Sequence, residues 1–484
     1  MGWLEVDKEG LRKLLQRKGH AFILYELLQN AWDQEVSEVS VKCIYNEEKA
    51  SAELTVVDDD PEGFKDLAHS YTLFAESKKK IDPTKRGRFN LGEKFVLSVC
   101  TEAKLVSTKG TVYFGDVGER TETKESIEKG SIFEALIPMS KKEFNTLCRE
   151  VKKLIPPQGI KTTFNGELLS HKRTLVAEFE EKLQTEIADV DGILKKVTRK
   201  TKVKIYEVLD GEKASIYEMG IPVVETGDKY HVDVQQKVPL NFNRDNVTPA
   251  YLRMLRTCVF NQTFDQVKKT EANDSWVREA TSNKKCSDEA ITKAMDLRYG
   301  KKRVVHDPSD PEATKIAQSK GYTLVPGRSL NKQEWANAKS AGAVKPASVV
   351  TPSNSTVKLS GGTGNIKITK DMTKVADFAK MLAKELFNEN ITVAFARSRK
   401  RFAAAYGNNN LTFNVSRLGK KWFTEIDEKV IALIIHEFGH HYCSNHLSSK
   451  YYDALCDLGA KLAVLVLRKP ELFQKVTYYA IAKE

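Results

Sequence analysis

A mixed α/β architecture of several domains is what this sequence predicts, and three observations predict it. The chain has 484 residues, which at roughly 150 residues per domain leaves room for about three. Helical and strand patterns alternate along most of its length instead of segregating into blocks. A stretch rich in Ser, Thr, Gly and Pro, AVKPASVVTPSNSTVKLSGGTGN, interrupts the alternation and marks a linker at residues 343–365.

Asp7 stands where it can cap a first helix, LRKLLQRKG, and a second helix runs from about His20 to Ser37. The strands VSVKCIY, AELTVVD, AKLVST, TVYFGD and IFEALIP complete an α/β layer over residues 1–140. Residues 141–275 open with the helical KKEFNTLCREVKKLI. KVKIYEVL, ASIYEMGIPVVE and KYHVDVQQKVPLN follow, separated by Asp210-Gly211 and Gly227-Asp228, and predict a three-stranded meander. The helix TPAYLRMLRTCVFNQTFDQV closes this second α/β domain. Residues 285–342 read strand–helix–strand–helix (KRVVHD, PEATKIAQSKG, YTLVPG, KQEWANAKSAG), a small α/β domain in which Asp307 and Asp310 are placed to cap loops. Residues 366–484 form the last domain, of α+β type.

Bulk properties narrow the function classes. The formal net charge of +12 permits contact with nucleic acid or an acidic surface without demanding it. The basic runs are scattered, as solvated loops and helix faces would be. Seven widely spaced cysteines, with no C-x-x-C, argue against a disulfide framework and a cysteine zinc knuckle. The stretch MGWLEVDKEG lacks the apolar core of a signal peptide. No apolar run approaches about 18 residues, so no membrane span is expected. These features together predict a cytoplasmic protein.

Candidate site residues concentrate at the two ends. The helix AFILYELLQNAWD is mostly apolar, yet Glu26, Asn30 and Asp33 fall at i, i+4 and i+7, on one face. Burying a carboxylate and an amide is costly unless something pairs with them, as a hydrated divalent cation and a water would. AELTVVDDDPEGF brings Asp58 to a strand end, with Gly63 allowing close backbone approach. KRGRFNLGEKFVLSVC sets Gly87, Asn90 and Gly92 in a turn that opens a helix, a combination that presents amide N–H groups to phosphates.

This order of acidic helix, strand-Asp-turn, glycine turn and helix resembles the GHKL ATPases, the Bergerat-fold group that includes gyrase B subunits, histidine kinases and heat-shock chaperones. The resemblance covers about 140 residues and implies a Bergerat ATPase sandwich binding ATP and Mg2+. It implies that Glu26 orients or deprotonates the attacking water, that Asn30 ligates magnesium and that Asp58 binds the adenine amino group. It further implies that Gly87, Asn90 and Gly92 contact phosphates, and that LAHSYTLFAESKKKIDPTK is a lid in which Lys78, Lys79 and Lys80 can reach phosphate. Gly130-Ser131 resembles a small-residue box on a late strand. Two departures stand out: the turn reads DDDPEGF, one residue longer and one glycine poorer than the family's D-x-G-x-G, and Asn90 replaces a common Gly. In gyrase-like members a second domain sends a lysine to the γ-phosphate. Lys237 in VQQKVPLN has a comparable context, with an exposed strand-end lysine as the alternative, and NFNRDNVTP beside it resembles a turn of that setting.

At the other end stands HEFGHHYCSNH. His436 and His440 are i and i+4 on a helix with apolar spacing, so both imidazoles can reach one ion, and Glu437 can hold and deprotonate a zinc-bound water. Four of the nine histidines lie here. Upstream, the helix MTKVADFAKMLAKELF and the strands ITVAFA and AAAYGNNNLTFNVS precede the motif helix. That order resembles the zincin metallopeptidases, in which an edge strand takes extended substrate by strand addition. His446 falls where metzincins place a third histidine, but their glycine is Cys443 here and no methionine turn follows. Asp453 and Asp457 on the next helix are alternative third ligands for Zn2+, and Cys443 is another. His441 and Tyr442 are candidate assisting groups.

Two functions are therefore expected. In the first, ATP binding closes the lid, dimerises the N-terminal domains into a homodimer and gates a zinc peptidase acting on a protein or peptide. In the second, a non-proteolytic ATPase remodels DNA or protein, and the zinc site is structural or degenerate.

Overall fold

The computed structural model describes residues 7–16, 19–64, 66–73, 81–87, 92–116, 118–170, 172–189, 193–241, 246–308, 310–352, 366–398, 402–443, 446 and 448–474. Asn90, Lys78 to Lys80 and Phe242 to Asp245 of NFNRDNVTP lie outside them. The chain divides into two compact units, residues 1–263 and 264–484, and both mix helices with sheets.

In the first unit, α1 (Lys8–Gln16) and α2 (Ala21–Trp32) precede β1 (Glu38–Asn46) and β2 (Ser51–Asp58). Then come α3 (Gly92–Val99), β3 (Glu102–Ser107), β4 (Gly110–Phe114), β5 (Arg120–Thr123), β6 (Ser131–Pro138), α4 (Lys141–Val151), β7 (Lys161–Phe164) and β8 (Glu167–Leu168). The eight strands form one sheet in the order β5-β4-β3-β6-β2-β1-β7-β8. All its pairings are antiparallel except β1 with β7. Alternate residues of β1, β2 and β6, among them Val39, Val41, Leu54, Phe133 and Ile137, share one core with Ile23, Leu24 and Leu28 of α2, Val96 of α3 and Leu147 of α4. The period-2 apolar pattern puts those strand residues on one face, and each fully buried aliphatic side chain contributes about 1.5–3 kcal/mol.

The second sheet of this unit corrects the predicted meander. It contains β9 (Leu175–Ala188), β10 (Leu194–Glu207), β11 (Ser215–Glu218), β12 (Ile221–Glu225) and β13 (Tyr230–Val234), in the order β12-β11-β13-β10-β9. ASIYEMGIPVVE is a hairpin, not one strand: Met219 and Gly220 both take positive φ, 48° and 90°, the backbone of a two-residue turn that matches strand twist. Methionine is unusual there, so the turn leaves no sequence signal. β11 pairs parallel with β13, which no meander does. β9, absent from the predicted elements, alternates the exposed Glu178, Glu180, Lys182 and Gln184 with the less exposed Ala177, Phe179, Leu183 and Thr185. The helix α5 (Pro249–Thr263) ends the unit.

The second unit begins with α6 (Ser275–Thr281) and α7 (Asp288–Tyr299). β14 (Arg303–Val304), α8 (Pro311–Ser319), β15 (Thr323–Leu324) and α9 (Lys332–Ser340) follow, with β14 parallel to β15. Residues that the composition assigns to a linker begin as part of this module. Ala347 of α10 (Ala347–Val350) packs with Val304, Ala313 and Ala317, because its small apolar residues cover α8. Glu334 of α9 is 1% exposed and holds Arg278 and Arg298 at 2.8 Å each. Burial alone would raise its carboxyl pKa, but the Asn331 N–H and the Arg298 guanidinium bring it below 4.5. A depressed folded-state pKa gives stability that is present above the unfolded value and lost as pH falls through the folded one. Glu334→Gln is therefore expected to cost about 3–5 kcal/mol near neutral pH, by leaving Arg298 buried and uncompensated. The gap between the two proteins should narrow on acidification below the ordinary carboxylate range. Denaturant titrations at both pH values check this, and a pH-independent gap counts against the ion pair as its source.

α11 (Lys370–Phe387), β16 (Thr392–Ala396), β17 (Ala404–Gly407), β18 (Asn410–Asn414), α12 (Val415–Leu418), α13 (Glu428–Tyr442) and α14 (Ser449–Arg468) complete the chain. The sheet order is β16-β18-β17. Asn408 and Asn409 make the β17–β18 turn with φ of 50° and 55°, a conformation asparagine tolerates. Phe378 and Leu382 of α11, Leu411 and Phe413 of β18, Val430, Ile434 and Phe438 of α13 and Leu458 of α14 form one core. No helix among the described residues is long and apolar enough to cross a membrane.

Candidate functional site

In the first unit the apolar bulk of α2 does bury its polar residues. Glu26 is 3% exposed and accepts a hydrogen bond from Gln29 Nε2, while Asn30 is half-buried. Gly92, the first residue of α3, lies against that carboxylate: a Cβ there would stand 1.7 Å from Glu26 Oε2. Only glycine allows the acid to sit at the start of the helix, where the dipole favours negative charge.

Asp33 departs from the predicted stripe. Its carboxylate takes Arg86 Nη1 at 3.0 Å, the Arg86 N–H at 2.8 Å and the Gly87 N–H at 2.9 Å. Arg86 also donates from Nε to Met219 O at 3.1 Å, so this pair ties α2 and the glycine turn to the β11–β12 hairpin. A charged pair satisfied on several sides needs no cation, which is why Asp33 does not join a metal-facing row. Nothing in KRGRFN signals that Arg86 is the partner, because it lies 53 positions away.

The three consecutive aspartates divide the work. Asp58 ends β2 opposite Ser131 and accepts from the Ser131 hydroxyl. Burial raises its carboxyl pKa, and Ser131 and the Asp60 N–H oppose the rise. Asp59 takes the Ser37 and Glu38 N–H groups at 2.8 and 2.9 Å, holding the start of β1. Asp60 carries the turn through the Glu62 N–H at 3.1 Å, and its carbonyl accepts from Gly63 and Gly130. Gly63 has φ of 58° and Gly130 has φ of 84°. A Cβ on Gly63 would meet the Gly130 carbonyl at 2.6 Å, and one on Gly130 the Asp58 carbonyl at 2.1 Å. The late-strand pair Gly130-Ser131 thus lies directly on the Asp58 turn.

Lys237 is fully buried, which sets aside the exposed strand-end alternative. Its N–H donates to Pro83 O at 2.9 Å, and its carbonyl accepts from Thr185 Oγ1 at 2.8 Å. The segment after β13 therefore meets the end of the stretch expected to form a lid. Sequence reasoning missed Lys94, a buried lysine of α3 whose ammonium donates to His69 O at the start of that stretch.

In the second unit, α13 is capped by Asp427, which accepts from the Val430 N–H at 3.0 Å. His436 and His440 project from one face of it. Together with His446 they form the group of potential ligands among the described residues, with ligand atoms all within 4.8 Å of one another. His436 Nε2 and His446 Nε2 are 3.3 Å apart. Two nitrogens each about 2.0–2.1 Å from one tetrahedral zinc stand about 3.3 Å apart, so the spacing fits the ion. The other nitrogen of each helical ligand is engaged. Tyr451 Oη donates to His436 O at 2.8 Å and lies 3.1 Å from His436 Nδ1, which leaves the Nδ1 hydrogen to point at the phenol oxygen. His440 Nδ1 faces the Cys443 carbonyl at 3.3 Å. Both imidazoles thus keep Nε2 for a metal.

Burial lowers the pKa of His436, and burial with the neighbouring imidazoles lowers that of His440 to about 4. Neutral rings are what metal ligation requires. Glu437 is 6% exposed, and burial pushes its pKa up to about 7, opposed by His446 and by the Tyr406 N–H of β17. That hydrogen bond sets the acid beside an edge strand.

The other candidates lie elsewhere. Asp453 and Asp457 are exposed, and Asp457 pairs with Lys461 at 2.7 Å. α14 turns its apolar face, Tyr451, Ala454 and Leu458, toward the core, which leaves both carboxylates in water. Cys443 presents its carbonyl to His440, and its thiol is outside the ligand group. His441 stacks on Phe387, and Tyr442 is 47% exposed. Tyr451 was not legible as a site residue. It reaches His436 because a Cβ at Gly439 would collide with its ring at 2.8 Å and none is there.

No protein-family model matches the chain, and no curated protein matches it. Solved structures do resemble parts of it. The ATPase region of Saccharomyces cerevisiae topoisomerase II matches at 14% identity and a TM-score of 0.28, over 42% of this chain and 61% of that one. The same region bound to dexrazoxane matches at 12% and 0.31, over 51% and 69%. The N-terminal domain of a DNA repair protein matches at 13% and 0.34, over 53% of this chain and 98% of that one.

Proposed function

We propose that the second unit is a zinc-dependent peptidase and that the first is an ATP-binding and ATP-hydrolysing switch of the GHKL type that gates it. The observation that carries the first half is the His436–His440–His446 group, with two Nε2 atoms at 3.3 Å and a buried carboxylate, Glu437, one residue after the first ligand. A purely structural zinc site has no use for that carboxylate; a hydrolytic one needs a base. The three histidines would hold the ion, which supplies Lewis acidity. Glu437 would take the proton of the attacking water. The edge strand β17, which touches Glu437 through the Tyr406 N–H, would align extended peptide by strand addition.

The switch half rests on how the residues of the first unit are placed. Glu26 and Asn30 would serve the attacking water and Mg2+, and Asp58 the adenine amino group. Gly87, Asn90 and Gly92 would contact the phosphates, and Gly63 would let backbone approach the nucleotide. Lys237 would report nucleotide to the second sheet, and homodimerisation on ATP would be the output.

Elemental analysis of the purified full-length chain, with ATP hydrolysis measured beside peptide cleavage, tests this. About one zinc per chain, chelator-sensitive cleavage and Mg2+-dependent ATP turnover are expected. Zinc without cleavage at any nucleotide state would instead favour an ATPase that remodels DNA or protein. Absence of bound zinc would end the peptidase reading.

A further inference from the structure

The third histidine differs from the other two. His436 and His440 are fixed by the α13 helix, whereas His446 lies beyond its end, in a turn. A ligand on a turn has no helical spacing to aim it, so its ring direction has to come from a partner at its second nitrogen. That partner is present and comes from the small module, 139 positions upstream. Asp307 Oδ2 lies 3.5 Å from His446 Nδ1. Asp307 is 3% exposed, and the same Oδ2 accepts a hydrogen bond from the Ser348 hydroxyl.

Asp307 and Asp310 are both expected to cap loops. Asp310 caps α8, accepting from the Ala313 N–H at 3.1 Å. Asp307 is carried to its place by the end of β14. The Val305 N–H donates to Lys345 O and the Ala347 N–H to Val305 O, both at 2.9 Å. These two bonds lock the Asp307 segment to the helix that bears Ser348. A carboxylate buried to this degree is costly unless it is partnered, and its partners here are a hydroxyl and the imidazole of a candidate ligand.

We propose that Asp307 is the positioning residue for His446, which makes the small module at residues 303–351 part of the metal centre. By holding the Nδ1–H of His446, Asp307 leaves Nε2 free to complete the ligand set and makes it more basic. Ser348 keeps the carboxylate turned inward. This inference rests on the zinc-site reading above.

Its test is a double-mutant cycle on zinc affinity, measured with the full chain by competition against a chromophoric chelator. Asp307→Asn is expected to weaken zinc binding about 10–100-fold, and Ser348→Ala in the same direction by less. In a His446→Ala background Asp307→Asn should have little further effect, because the ring it positions is gone. A structural contribution from Asp307 would lower affinity equally in both backgrounds, and that result overturns the proposal. Unchanged affinity in Asp307→Asn overturns it too. If Asp307→Asn does not fold, Ser348→Ala carries the same cycle. A wild-type chain that takes up no zinc refutes the metal site itself and this inference with it, whereas tight wild-type binding with a failed cycle refutes Asp307 alone.

Discussion

Exchanging Glu437 for Gln is expected to leave the zinc content of the protein unchanged and to lower peptide cleavage by a factor of about 10²–10⁴. Gln has nearly the size and shape of Glu, so the buried site stays packed. The three imidazoles that would hold the ion are separate side chains, and their second nitrogens are held by Tyr451, the Cys443 carbonyl and Asp307. What the substitution removes is the base. A carboxylate whose ordinary pKa of 4.5 is raised to about 7 by burial is well matched to accept a proton from water and return it to a leaving amine. Zinc is counted by elemental analysis, and cleavage is followed on a mixed fluorogenic peptide library with and without ATP. Cleavage within tenfold of wild type, with zinc bound, would remove Glu437 from the chemistry and leave the zinc structural.

Glu26→Ala is the second large effect. Nucleotide binding is expected to persist, because Asp58 and its turn are untouched, while ATP turnover falls by about 10²–10⁴. Glu26 is nearly inaccessible, fixed by Gln29 Nε2 and set against the first residue of α3. A carboxylate placed that tightly can hold a water in one direction at small entropic cost. Phosphate release measures turnover, and equilibrium binding of a fluorescent ATP analogue measures affinity. Turnover that persists at wild-type rate would sink the ATPase assignment. If the gating proposal holds, ATP stimulation of cleavage disappears in the same variant while its basal cleavage remains. Loss of basal cleavage as well would mean the two activities are not separable in this way.

The parts of both candidate sites that were readable from sequence share a property. Each rests on spacing along one element or across one turn. His436 and His440 share a face because an α-helix repeats every 3.6 residues. Apolar residues at helical spacing in α2 foretold its burial, and burial in turn made Glu26 conspicuous. Even His446 was among the candidates, though three rivals stood beside it.

The parts that were not readable depend on which distant group a buried polar atom finds. Asp33 looked like the end of a metal-facing row until Arg86 claimed it. ASIYEMGIPVVE looked like one strand until Met219 and Gly220 turned it. His446, not Asp453 or Asp457, lies beside His436 and His440, because the apolar face of α14 must go inward and so leaves the aspartates in water. Tyr451 and Asp307 reached the histidine cluster only through packing. By itself the sequence determined the helices α2 and α13 that carry both candidate sites, their apolar faces and the i, i+4 spacing of His436 and His440, because these follow from backbone geometry and local periodicity. Only the tertiary structure decided how each buried charge is paired, because that depends on groups from separate elements, as with Arg86 and Asp33 at 53 positions apart, where removal from water makes every polar atom take the partner that packing supplies.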